Sequence, residues 1–312
     1  YGANSFIQIN FDGNNKIAEG VRVYADGCIV EGCRISDLYT TTYSAVGIGT
    51  SNVNGGVIVR NNIIKNLNSV GNGTLGDGNG MSRGILLSMN ANATSESIIE
   101  GNIVENCIGE EGDAIAIISS NGAGVYYDSC VTIRNNIIKN FTRRGIKVQA
   151  NKNKVIGNYF NHSFASSSEI PNRMTVIDFV QGGSNYAIEN ILDACKWFGQ
   201  ISVYATSPDS FNNFFIENNK ILGIGSETTN PAISIIPLGS NVFIRGNQIV
   251  CGTGRAISVS SIINCVIENN TISCSDNASE RVISTTGTVA KCIIKGNILF
   301  DGVRQCFIGI DS

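Results

Sequence analysis

The chain has 312 residues, 42% of them hydrophobic and 15% charged, with a formal net charge of -3. That balance offers no basic surface for nucleic acid, and no apolar run reaches the roughly 18–20 residues needed to span a bilayer. Asparagine (39) and glycine (35) are abundant, proline is scarce (4), and Ile and Val lead the apolar residues. Short β-branched strands joined by Asn/Gly turns fit this mixture, and a helical bundle does not.

The chain opens at Tyr1 with no Met and no signal-peptide pattern, and so reads as a piece of something longer. From there one unit recurs: two apolar residues, a charged one, Asn or Gly, Asn, then two apolar residues. It appears as Ile58-Val59-Arg60-Asn61-Asn62-Ile63-Ile64 and Ile98-Ile99-Glu100-Gly101-Asn102-Ile103-Val104. It returns at Thr132 to Ile138, Phe215 to Ile221, Phe243 to Ile249, Val266 to Ile272 and Ile293 to Leu299, with degenerate copies around Cys33, Asn158 and Asn190. Measured on the second Asn, the copies stand 22 to 40 residues apart. Between them lies a second phrase of alternating apolar residues, as in Arg83-Gly84-Ile85-Leu86-Leu87 and Arg144-Gly145-Ile146-Lys147-Val148. Short strands repeating at this period predict a β-solenoid: an all-β, single-stranded right-handed parallel β-helix of about ten to eleven coils, one domain over residues 1–312.

Stacking of coils can be checked within the sequence. The residue two before each marker is expected to point outward and meet its equivalent on the next coil. That column reads Glu31, Arg60, Glu100, Arg134, Ile156, Glu189 (after a one-residue realignment), Glu217, Arg245, Glu268 and Lys295. Opposite charges nearly alternate, as cross-strand pairing favours. The marker asparagines are expected to form a second ladder, their amides satisfying one another at a tight turn. Cys28, Cys265 and Cys292 share one repeat position, which predicts core-filling free thiols and synthesis in a reducing cytoplasm rather than a disulfide framework.

These coils resemble the pectate-lyase-like β-helices, and phage tailspike and capsule-depolymerase bodies above all. The resemblance runs from Phe11-Asp12-Gly13-Asn14 to the C-terminus. It implies a carbohydrate-facing protein, often a homotrimer, that cleaves or binds a polysaccharide. The Asp-Asp and Gly-His-Gly signatures of polygalacturonases are absent, Arg144-Gly145-Ile146-Lys147 being a faint echo of their Arg-Ile-Lys. The Arg-x-Pro-x-x-Arg motif of pectate lyases and a clustered Asp set for Ca²⁺ are also missing. Pectin is therefore disfavoured as substrate, and no metal or cofactor is expected.

Coil length locates the chemistry, because solenoid insertions emerge on one face. The longest coils carry a Gly/Asn-rich loop over 68–82 with Asp77, and a loop over 119–129 with Tyr126, Tyr127 and Asp128. Between them lies the acidic run Gly109-Glu110-Glu111-Gly112-Asp113, and a third loop over 161–173 holds His162 and Glu169. Aligned strands give two outward columns, Arg83–Asp113–Arg144–Thr175 and Leu86–Ala116–Lys147–Asp178–Ser202. Arg83, Asp113, Arg144, Lys147 and Asp178 are thus expected on one face, with Glu111 beside them.

Glycoside hydrolysis needs two carboxyl groups, about 6.5–9.5 Å apart in inverting enzymes. Residues i and i+2 on a strand lie about 6.5–7 Å apart, so Glu111 with Asp113 suits such a pair. The candidate catalytic set is Glu110, Glu111, Asp113 and Asp178. Arg83, Arg143, Arg144 and Lys147 would hold acidic sugars, and Tyr126, Tyr127 or Trp197 would stack on pyranose rings. Structural ion-pair ladders would look the same, and His162 reads as a loop residue rather than a base. The leading expectation is a tailspike-like depolymerase body, in a virion or outside the cell, hydrolysing an acidic bacterial glycan. A lyase using Lys147, Arg144 or Tyr126 as base, and a non-catalytic glycan-binding rod, are the alternatives.

Overall fold

Each repeat unit closes one turn of a coil because its three apolar phrases are too short to fold back on themselves. They pair instead with the same phrase one repeat later. The result is three parallel sheets of eleven strands each, with every strand bonded to its equivalents on the neighbouring coils. The first sheet runs from Phe6–Ile7 to Cys292–Lys295, the second from Asn10–Asp12 to Ile298–Asp301 and the third from Glu19–Val23 to Ile308–Ile310. The crossovers wind right-handed, as connections between parallel strands do. At about 4.8 Å per coil the rod is about 50 Å long. The computed structural model describes residues 4–41, 44–51, 53–70, 80–89, 91–120, 125–164, 174–193, 195, 199–204, 212–222, 231–236, 240–251, 255–274, 282–288, 290–301 and 308–310. Among them, no helix is long and apolar enough to cross a membrane.

The turn from the first to the second sheet explains the marker pair. Its first residue sits in the left-handed region, at Asn61 (φ 55°), Gly101 (φ 64°), Asn135 (φ 55°) and Gly157 (φ 62°), which is why Asn and Gly prevail there. Its second residue turns inward and builds the expected asparagine ladder. The Oδ1 of Asn136 accepts from both the backbone N–H and the Nδ2 of Asn102, each at 2.9 Å. The Nδ2 of Asn136 donates in turn to Asn158 Oδ1 at 2.9 Å and to the Ile99 carbonyl at 3.0 Å. The same pattern links Asn62 through to Asn297. Buried amides that satisfy each other pin the register of every coil.

The outward charge column forms with one correction. Glu31 pairs with Arg60 at 2.7 Å, Glu100 with Arg134 at 2.6 Å, and Arg245 with Glu268 at 2.9 Å. Glu189, however, is not in it. Ile188 aligns with Ile156 and Glu217, while Glu189 takes the left-handed turn position at φ 58°. The repeat therefore needs no realignment there, and the column has an apolar break.

Inside, Phe141, Phe160, Phe179 and Phe214 are among the largest fully buried side chains, with Ile, Leu and Val elsewhere. Cys28, Cys265 and Cys292 are outside any disulfide, the first two buried and the third partly buried. His162 follows the strand Tyr159–Asn161 outside regular structure, as expected, and is buried: it lies 6% exposed between Phe141 and Phe164, its Nε2 2.7 Å from the Phe141 carbonyl.

Candidate active site

The third sheet is broadest at Met81–Met89 and Glu111–Ser119, nine residues each. Asp113 aligns with Arg83 and Arg144, and Lys147 aligns with Ala116 and Asp178, so both sequence columns are in register. Gly84 and Gly145 sit just after the first column because a Cβ there would strike the Val104 or Phe160 side chain and a neighbouring backbone carbonyl. Leu86 and Ala116 of the second column pack with Val46, apart from the main core and toward the outer surface.

These charged groups are sunk beneath that surface rather than displayed on it. Side-chain exposure is 5% for Arg144, 0% for Asp113 and 1% for Asp178. Arg144 bridges two coils, its Nη1 3.3 Å from Asp113 Oδ1 and its Nε donating to Asp178 Oδ2 at 2.7 Å. The Ser202 hydroxyl donates to the other oxygen of Asp178 at 2.5 Å. Glu111 pairs with Arg143, and Arg83 stands 3.8 Å from Glu111 and 4.0 Å from Asp113. Charges this deep persist only when paired, so the network fixes its arginines as firmly as packing would.

Two methionines that sequence reasoning missed cover the guanidinium groups. Met81 Sδ lies 3.0 Å from Arg83 Nη2, and Met174 Sδ lies 2.9 Å from Arg144 Nη2 and 3.2 Å from Arg143 Nε. Nothing in their spacing marks them, since thioethers in a sequence read as core.

Lys147 is different. It is partly buried, and among the described residues it has no ion-pair partner. Burial pulls its amine below the ordinary lysine value, the Arg144 and Arg83 charges pull the same way, and Asp113 and Glu111 offset this only in part. Burial also opposes the Arg144 charge, but Asp113 and Asp178 outweigh it and hold that guanidinium above its usual value. Glu110 sits in the turn before the strand, against Gly80, and its Oε2 is enclosed with no hydrogen-bond partner.

Downstream of the network the outer face opens into a hollow of about 280 Å³. Asp178 and Ser202 lie at its floor, and Met174, Tyr204 and Ile236 on its walls. From Ser202 the column continues as Ser234, Ser258 and Ser284, a row of hydroxyl-bearing side chains one coil apart. Tyr204, 45% exposed, is two residues past Ser202 on the same face, and period-two counting would have found it.

Not every expected residue converges. Tyr126 and Tyr127 follow the far end of the strand, where Tyr127 N–H donates to the Ser119 carbonyl and Asn151 Nδ2 donates to the Tyr126 carbonyl. Six residues separate Asp113 from Ser119, about 20 Å of strand. Trp197, Asp77 and Glu169 lie outside the described residues. Among the described residues no group of three or more His, Cys, Asp and Glu side chains is placed to hold a metal.

Neither protein-family models nor curated proteins match the chain. Solved structures do. The A-module of the Azotobacter vinelandii mannuronan C-5 epimerase AlgE6 is similar over 94% of this chain and 90% of its own, at 12% identity and a TM-score of 0.50. The AlgE4 A-module is similar over 96% and 89%, at 11% identity and a TM-score of 0.40. The Dettilon tailspike protein is similar over 88% and 60%, at 11% identity and a TM-score of 0.34. The fold is a right-handed parallel β-helix. At such identity the likeness reaches the β-helix and stops there, and the chemistry rests on the residues themselves.

Proposed function

We propose that this β-helix binds an acidic polysaccharide along the outer face of its third sheet and cleaves it by β-elimination, with Lys147 as base. One observation carries the reading: among the described residues Arg83, Arg143 and Arg144 are each paired with a carboxylate, whereas Lys147 has no ion pair and its amine is pulled below the ordinary lysine value. A base at neutral pH needs that shift. Arg143, 16% exposed against 8% for Arg83 and 5% for Arg144, is the guanidinium placed to meet the uronate carboxylate, while the other two hold the carboxylates beneath it. Lys147 Nζ takes the proton at C5, the freed electron pair forms the C4–C5 double bond, and the C4–O4 bond breaks. The electrons leave on O4, which takes a proton from water or from the lysine ammonium. The serine column from Ser202 and the ring of Tyr204 line the path of the chain beyond the cut.

Digestion of anionic bacterial polysaccharides tests this. Products absorbing near 235 nm are expected, and Lys147→Ala should lower the rate by about 10²–10⁴-fold, the usual weight of a general base. New reducing ends without that absorbance would replace the reading by hydrolysis. Hydrolysis has one observation of its own, the enclosed and partnerless Oε2 of Glu110 beside Glu111, and it predicts that Glu110→Gln or Glu111→Gln abolishes activity. Asp113 and Asp178 have almost no surface with which to touch a glycosidic oxygen, so in either chemistry their role is to hold Arg144. No products at all would leave a binding rod. The coil grammar supports a homotrimeric, tailspike-like particle outside the cell, which sedimentation of the intact protein checks.

A further inference from the structure

The first sheet carries an aromatic column on its outer face, remote from the charged network. Tyr186 stacks on Phe215 (4.6 Å, 6°), Phe215 stacks on Phe243 (5.0 Å, 10°), and the Arg245 guanidinium caps the far end 4.4 Å from the Phe243 centroid. Each inner ring face is therefore covered. On the Tyr186 face turned toward the preceding coil no ring is stacked among the described residues, and its register partner there is Lys154.

That face borders a hollow of about 470 Å³, lined by Glu96, Cys130, Thr132, Lys152, Lys154, Ser184 and Tyr186. The volume falls in the roughly 300–1,000 Å³ range of small-molecule sites. Its origin is a change in one column. At the strand entry the left-handed position is held by Asn213 and Asn241, whose side chains bond each other at 3.0 Å and fill the space. On the three preceding coils the position passes to Cys130, Lys152 and Ser184, all left-handed as well. Two of those side chains are small, and Lys152 swings away to Asp128 at 2.7 Å. Lys154, exposed and without an ion pair among the described residues, stands over the opening. At the other rim Glu96 accepts from the Thr132 hydroxyl at 2.5 Å.

We propose that this hollow is a second glycan subsite, taking one anionic pyranose. The apolar face of the sugar ring lies on the free face of Tyr186, continuing the aromatic stack by one member. The sugar carboxylate meets Lys154, with Lys152 next along, and a ring hydroxyl donates to Glu96. Opposite charges at the two rims orient the sugar. The site lies on a different sheet from Lys147, so it holds the polysaccharide without cutting it.

The test is a ligand-observed NMR titration with methyl β-D-glucuronide, and with neutral methyl β-D-glucoside as control. It is run in the Lys147→Ala chain so that the third-sheet site does not contribute its lysine. Saturable millimolar binding of the glucuronide is expected. Lys154→Gln, a change at an exposed position, should weaken it about fivefold, the upper weight of an exposed ion pair, and Tyr186→Ala about tenfold. The glucoside should bind at least about fivefold more weakly than the glucuronide. The proposal is overturned if the glucuronide does not bind the Lys147→Ala chain, if both probes bind equally, or if Lys154→Gln changes nothing. None of these outcomes bears on the 235 nm assay, so the subsite and the elimination reading can fail separately.

Discussion

Arg144→Met separates a network that is built from one that merely lies near the surface. Methionine keeps most of the stem and removes the charge, so packing is largely retained. Arg144 is 5% exposed and serves two carboxylates, Asp113 at 0% and Asp178 at 1%. Without it, among the described residues, Asp178 keeps the Ser202 hydroxyl, and Asp113 keeps Arg83 at 4.0 Å, the edge of contact. Removing one partner of a buried pair costs about 3–5 kcal/mol, because a charge stays behind without compensation. Urea unfolding at pH 7, followed by far-UV circular dichroism, should therefore show a loss in that range. Adding Asp113→Asn and Asp178→Asn to Arg144→Met should recover a large part, since the stranded charges are then gone. A loss below about 1 kcal/mol, the size of an exposed pair, or no recovery in the triple variant would refute the reasoning.

Other consequences are as direct. Asn136→Ala strands the Asn102 N–H, one of the two Asn102 Nδ2 hydrogens and the Ile99 carbonyl, while Asn158 Oδ1 keeps the backbone N–H of residue 136; at roughly 1–3 kcal/mol per stranded group, about 3 kcal/mol or more should be lost on urea unfolding. Asn297→Ala, at the half-exposed last rung, should cost less than half of that on the same measurement. Burial pulls the His162 imidazole down to about 4, against about 6.5 in the unfolded chain. The fold therefore favours the neutral ring: its stability is unaffected above pH 6.5 and drains as the pH falls toward 4, by about 3 kcal/mol in all. His162→Phe should flatten that part of the pH–stability curve, and an unchanged slope would contradict the burial. The hydrogen bond from the Cys265 thiol lowers Cys292, whereas burial raises Cys130. With a disulfide reagent at pH 7, Cys292 should react ahead of Cys130, and Cys292→Ser should remove the fastest phase.

Reading the chain as repeats went far because solenoid register is a one-dimensional property. Equivalent residues stack on equivalent residues, so the asparagine ladder and the Arg83–Asp113–Arg144 column could be written down by alignment alone. Glu189 was misplaced because the column was expected to continue its charges, whereas the turn position requires a left-handed residue and took the glutamate. A further ladder escaped notice altogether. Asp37, Asn66, Asn106 and Asn140 all adopt left-handed φ within the second-sheet strands, with Asn106 Nδ2 donating to Asn66 Oδ1 at 2.8 Å. Four short-range polar residues spaced like their own repeat look like ordinary strand exteriors until the backbone conformation is known.

The sequence by itself determined the coil and, Glu189 apart, which residues point outward and which charges meet. Periodicity encodes those facts, since each depends only on position within the repeat. The number of sheets came from the structure. Burial was decided by the tertiary structure alone. Depth comes from what lies over a column, and the thioethers of Met81 and Met174, the ring face left open on Tyr186, and the isolation of Lys147 all arise between coils that no single repeat contains.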